Sequence, residues 1–192
     1  MPSLSGLLAR TTTFLRDIAG PAPQLPPPPG AFERGINFGG GPVTVQGERW
    51  EGHETALRTG GLSVPGAHIA HSRLVPTPHA ERGLRQMLNT GIFRTTTLDI
   101  TLLLDDGAYA LVLWIMENHQ SHWHRQTLRI QGELREEGVG DLERGAWGRY
   151  GPYPVTVNSG MLSLALDTGR PDVDAHAMGL SLYRVAPGAA AA

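Results

Sequence analysis

The stretch Leu111-Val112-Leu113-Trp114-Ile115-Met116-Glu117, then Asn118-His119-Gln120-Ser121-His122-Trp123-His124, then Arg125-Gln126-Thr127-Leu128-Arg129-Ile130-Gln131-Gly132, decides the fold. An apolar run too short for a long helix, a polar tip and an alternating run predict two strands joined by a loop rich in His, Trp and Asn. Loops carry recognition while strands hold them in place, so residues 118–124 are the first candidate binding surface.

Working outward, the same alternation recurs. Phe32-Glu33-Arg34-Gly35-Ile36-Asn37-Phe38 alternates, Gly39-Gly40-Gly41-Pro42 breaks it, and Val43-Thr44-Val45 resumes. Further strands are expected at 66–71, 94–104, 108–116, 125–131, 153–157, 161–166 and 178–185, with a helical turn in 80–90. Asp105-Asp106-Gly107 and Asn158-Ser159-Gly160 are turn clusters between apolar strands, as short hairpin loops require. Many short strands with Gly- and Pro-rich connections predict an all-β, two-layer antiparallel β-sandwich of jelly-roll type. Period-two spacing turns Ile36, Leu111, Leu113, Ile115, Leu128, Ile130, Leu162, Leu164 and Leu180 inward.

The N-terminal part reads differently. Leu4, Leu7, Leu8, Phe14, Leu15 and Ile18 fall at helical spacings, with Ser3 or Ser5 as a cap, so residues 1–19 are expected to form a short amphipathic docking helix. Residues 20–31 hold the run Leu25-Pro26-Pro27-Pro28-Pro29-Gly30, a polyproline II spacer. The sandwich then occupies 32–186, and 187–192 is a flexible tail. A helix carried on a stiff arm suits docking to a protein partner, or to further copies of the chain, through residues 1–30.

Composition narrows the function. The 192-residue chain carries a formal charge of -2, so no general attraction to nucleic acid is expected. Its 16 basic residues are all arginine, which with the Ala and Gly content reads as high-GC codon usage. Cys is absent, which removes thiol catalysis and thiolate metal sites and fits a cytoplasmic or a bacterial extracellular setting. No apolar run reaches membrane-span length, and Arg10 and Arg16 interrupt any signal-peptide reading.

Three blocks together resemble a malectin-like domain, a carbohydrate-binding β-sandwich family. They are Arg34-Gly35-Ile36-Asn37-Phe38-Gly39-Gly40-Gly41-Pro42 with Trp50-Glu51, then Gly107 to Glu117 with Arg125 to Gly132, and finally Val155 to Leu164 followed by Pro171 and the strand to Tyr183. The resemblance implies a non-catalytic module that binds sugar through loops at one end of the sandwich. Glu117 is its clearest match. Where family sugar binders often carry Tyr, this chain has Arg85-Gln86-Met87-Leu88-Asn89 and Asn118-His119; where animal malectin uses an acid, it has Gly169, with Asp167 and Asp172 nearby.

A glycan site is therefore expected at Glu117, Asn118, His119, His122, Trp123, Arg85 and Asp172. Trp123, or else Trp50 or Trp147, would supply the stacking platform. Trp114 reads as core, and Trp147 and Tyr150 as aromatics of a Gly-rich loop. His119, His122 and His124 have a spacing that three imidazole ligands of Zn²⁺ or Ni²⁺ can adopt, with Glu117 as a fourth; a solvated polar loop with neutral hydrogen-bonding His, or hydrogen bonding to sugar hydroxyls, is favoured over that, with no metal or cofactor. Glu117 paired with Asp172 or Asp174 would be a glycosidase arrangement, but an ion pair of Glu117 with Arg125 or Arg85 is favoured over it. No G-x-S-x-G elbow occurs, and Gly39-Gly40-Gly41 lacks the Lys-Ser/Thr of a phosphate loop, so it reads as a turn. The rival function is a structural or decoration subunit of a multimeric assembly, such as a virion or secreted particle, with a vestigial sugar site.

Overall fold

A computed structural model describes residues 27–186; the expected docking helix, most of the spacer and the tail lie outside the described residues. The chain is an all-β sandwich. Its strands are β1 (Ala31–Asn37), β2 (Val43–Val45), β3 (Glu48–Gly52), β4 (Leu62–Ser63), β5 (His68–His71), β6 (Thr90–Thr95), β7 (Thr97–Leu103), β8 (Gly107–Met116), β9 (Gln126–Ile130), β10 (Glu133–Val139), β11 (Trp147–Val157), β12 (Met161–Asp167), β13 (Asp174–Ala177) and β14 (Gly179–Arg184). Two short helices, α1 (His53–Arg58) and α2 (Arg82–Leu88), interrupt them.

A six-stranded sheet in the order β11-β8-β14-β1-β3-β2 faces a five-stranded sheet in the order β10-β9-β12-β7-β4. Ile36, Leu111, Leu113, Ile115, Leu128, Ile130, Leu162, Leu164 and Leu180 all lie in the core between them, as the period-two pattern requires. Each fully buried Leu or Ile removes enough apolar surface from water to contribute about 1.5–3 kcal/mol. A third sheet, β13-β6-β5, closes one end.

β8 is buried on both faces. Leu111, Leu113 and Ile115 point into the sandwich, while Val112, Trp114 and Met116 join a second core with Trp50, Trp147 and the buried face of α2, Leu84, Met87 and Leu88. Trp114 stacks on Trp147 with ring centroids 5.9 Å apart and meets Trp50 edge-on at 6.3 Å. α2 is seated by Glu81, whose carboxylate accepts from the backbone N–H groups of Gly83 and Leu84 at 2.7 and 2.8 Å. At Gly83 the helix presses against the Thr44 carbonyl so closely that no Cβ fits.

Four details depart from the expected pattern. The Gly-rich segment at Trp147 is no loop: β11 runs through it, absorbing Gly151-Pro152 in a register shift between Tyr150 and Tyr153, which an edge strand tolerates. Residues 94–104 divide at Thr96, where φ of 66° turns the chain from the small sheet into the five-stranded one. β10 escaped notice because charged residues dominate it, and it too is an edge strand, where charge guards against sheet extension. The sandwich is also not purely antiparallel, since β1 pairs with β3 in parallel at Ile36↔Glu51 and Asn37↔Gly52.

Candidate functional site

The 118–124 loop springs from the end of β8 and is shaped by one carboxylate. Glu117 is fully buried. Its Oε1 accepts from the His119 backbone N–H at 2.8 Å and its Oε2 from that of His124 at 3.0 Å, while the His124 Nδ1 lies 3.0 Å from both oxygens. Burial alone would raise the proton affinity of this carboxyl, but the hydrogen bonds from the His124 ring and the two backbone amides outweigh it and hold the group below the ordinary carboxylate range. The partner is thus His124 and not the expected arginine: Arg125 leans toward Asp141 at 3.9 Å, and Arg85 lies on the exposed face of α2.

His124 in turn stacks obliquely on His176 of β13, with ring centroids 3.8 Å apart. His176 is buried and its Nε2 has no partner among the described residues; its backbone N–H donates to the Gln126 Oε1 at 2.7 Å. Burial first, and then the neighbouring His124, drive the His176 imidazole well below its ordinary proton affinity, so it stands neutral.

These rings border a cavity of about 160 Å³ whose walls include Asn118, His119 and His124 from the loop, Asp174 and His176 from β13, and Phe93 from β6. The small sheet makes its floor, because Phe93 and His176 are directly paired across β6 and β13 and so share a face. A larger, open groove of about 690 Å³ lies between the β2–β3 hairpin and α2, lined by Arg49, Arg82 and Gln86. It holds no aromatic side chain and none of the unpartnered buried polar atoms.

Of the residues singled out from the sequence, Asn118 and His119 line this cavity, while Glu117 is buried behind it and bonded to His124. Trp123 flanks it, half-buried, with its ring 5.0 Å from His119 and under the Arg170 guanidinium at 5.3 Å; Asp172 is exposed and reaches Arg170 at 3.7 Å. His122 is turned away. Its backbone has φ of 60°, its Nδ1 lies 2.7 Å from Asp141 and its Nε2 3.1 Å from Glu143, and these two carboxylates raise its proton affinity. His119, His122 and His124 therefore do not converge on a metal position, and among the described residues no group of three His, Asp or Glu is arranged to hold one. Trp50 and Trp147 are both buried in the second core and cannot serve as platforms. Arg85 does not line the cavity, because the apolar face of α2 packs on the sheet and turns it outward.

Sequence reading missed Phe93 and His176, and it weighed Asp174 only as a carboxylate partner of Glu117. The available signal was the alternation Asp174-Ala175-His176-Ala177, a strand with its polar residues on one face, hidden within a segment read as a connection.

No protein-family model matches this chain, and no curated protein matches it. Solved structures do. The ANX2 ectodomain from Arabidopsis thaliana superposes with a TM-score of 0.63 at 13% identity, over 82% of this chain and 50% of that one. A structure of the plant peptide RALF23 in complex with FER and LLG2 gives 0.62 at 14% identity, over 82% and 49%. The Bacteroides uniformis β-glucuronidase gives 0.63 at 12% identity, over 80% and 18%. This chain thus spans about half the length of the receptor chains and less than a fifth of the glucuronidase. At such low identity the likeness establishes architecture: the described residues have the β-sandwich fold found in these plant receptor ectodomains.

Proposed function

We propose that the sandwich is a non-catalytic, malectin-like carbohydrate-binding module whose ligand enters the cavity beneath the 118–124 loop. The observation that carries this reading is the unpartnered Nε2 of His176, a buried polar atom at a cavity walled by Phe93 on one side and by Asn118, His119 and Asp174 on others. A sugar presents an apolar ring face and angled hydroxyls, which suit an aromatic wall ringed by polar groups. Glu117 serves as the anchor of the loop and not as an acid catalyst, since both its oxygens are engaged and it is shielded from solvent. Kinship with malectin-like domains rests on the three sequence blocks and on the shared fold with receptor ectodomains.

Residues 1–19 would tether the module to a larger protein body across the 20–31 spacer. The neighbouring receptor structure that contains a peptide and partner proteins keeps a second reading in play, in which the same loops contact protein within an assembly. A glycan array followed by calorimetry separates the two. Binding of a glycan that weakens by about 1–3 kcal/mol in Trp123→Ala or Phe93→Ala, with the fold intact, supports the sugar reading. Failure of every glycan, with loop substitutions instead abolishing assembly, supports the other.

A further inference from the structure

The charge of the cavity is one-sided. Asp174 lines it, and its carboxylate takes part in no hydrogen bond or ion pair among the described residues, in contrast to Glu117, Asp141 and Asp172, whose carboxylates are all engaged. No arginine lines it. Arg94 sits on the other face of β6 and pairs with Asp99 at 3.5 Å, and Arg170 is held between Trp123 and Asp172. His176, a buried neutral imidazole, adds an unpartnered nitrogen, and Glu117 places a second negative charge behind His124. Phe93 offers a ring at the floor.

A carboxylate without a partner, a neutral ring nitrogen and an aromatic face are together the complement of an ammonium group. The carboxylate neutralises it, the nitrogen accepts a hydrogen bond from it, and the ring attracts it through its quadrupole. An anionic ligand end meets the Asp174 carboxylate and no arginine, with the buried Glu117 behind His124, so it is disfavoured. The volume, about that of five waters of liquid, suits one functional group with part of a ring and not a whole oligosaccharide.

We infer that this cavity accepts a ligand end bearing a protonated primary amine, which on the sugar-binding reading means an amino sugar with a free amine, held by Asp174 and His176. The inference rests on the sugar-binding reading for its ligand scaffold but not for the amine itself.

Calorimetry with the full chain, slightly below neutral pH where the amine is protonated, tests it with D-glucosamine, N-acetyl-D-glucosamine, D-glucose, D-glucuronate and methylammonium. Glucosamine is expected to bind at least roughly tenfold more tightly than glucose or N-acetylglucosamine, a difference of about 1.4 kcal/mol, and glucuronate not at all. Asp174→Asn should erase the preference, and His176→Leu should weaken glucosamine binding. Because His176 is buried, circular dichroism must show that variant folded; if it is not, Asp174→Asn, at a half-buried position, carries the test. Glucose or N-acetylglucosamine binding as tightly as glucosamine, or glucuronate binding at all, overturns the amine inference and leaves the sugar reading standing. Methylammonium binding that depends on Asp174, with none of these sugars bound and no glycan bound on the array, keeps the amine site and removes the sugar reading. No heat from any of the five overturns the amine inference, and the glycan array then decides the sugar reading by itself.

Discussion

The imidazole of His124 lies 3.0 Å from both carboxylate oxygens of Glu117, seven positions earlier, and with the two backbone amides it closes the 118–124 loop on a single buried anion. Hydrogen bonds to a charged group contribute about 1.5–3 kcal/mol. Glu117→Gln should therefore lower unfolding free energy by at least about that amount, and Glu117→Ala by more. Urea denaturation checks this, and an unchanged midpoint for both variants would show that the anion does not organise the loop.

His176 makes the stability depend on pH in a defined direction. Its folded-state proton affinity is depressed by burial and by His124, so as pH falls through the ordinary imidazole value of about 6.5, the unfolded chain takes up a proton that the folded chain refuses. Stability should decline from there until the pH reaches the depressed folded-state value, at up to about 1.4 kcal/mol per pH unit for this one group. His53, also depressed by burial, acts in the same sense. Glu117 adds a separate loss at lower pH: its folded value lies below the ordinary carboxylate range, so its contribution is complete above that range and disappears as pH drops through the folded value. His176→Asn should flatten the profile just below pH 6.5, measured as the difference in unfolding free energy from the parent; identical profiles would refute the assignment.

The three tryptophans clustered in the second core should divide sharply from the fourth. Trp147 is buried against Trp114 and its Nε1–H donates to the Pro78 carbonyl at 2.6 Å, so Trp147→Ala should cost about 3–5 kcal/mol. Trp123→Ala, at the half-buried rim, should leave the thermal midpoint nearly unchanged while altering ligand binding. Equal thermal losses in the two variants would contradict this division.

Gly83 sets helix propensity against space. Alanine is favoured over glycine within a helix by about 1 kcal/mol, but a Cβ here runs into the Thr44 carbonyl, and overpacking typically costs about 1–3 kcal/mol. Because the obstacle is backbone and not a flexible side-chain end, Gly83→Ala should be destabilising overall. A gain in thermal midpoint would mean that α2 can lift off β2 freely.

What could be read from the sequence follows from the kind of signal each part carries. The β8 and β9 strands and their inward leucines were legible because burial of a sheet face imposes period two. The role of Glu117 as a loop anchor was half legible: its position at the strand end was evident, but its partner was not, since a His seven residues away and an Arg eight residues away are indistinguishable until the loop closes. His176 and Phe93 belong to strands far apart in sequence that meet only by pairing, and no local pattern encodes that meeting. Trp147 was misread because Gly148 and Gly151 mark a loop by composition, whereas here they lie within a strand whose bulged edge tolerates them.

The double burial of β8 also bears on how the molecule opens. With Leu113 covered from one side and Trp114 from the other, amides at the centre of β8 can exchange with solvent only when both sheets and α2 come apart together, so they should be among the slowest in hydrogen exchange. Glu117 directly follows that strand. The root of the loop is therefore fixed to the last part of the molecule to come undone, while its tip, Gln120 and Ser121, lies exposed and should exchange early. A ligand would then register as slowed exchange at the tip alone, against a root already at the limit set by global unfolding.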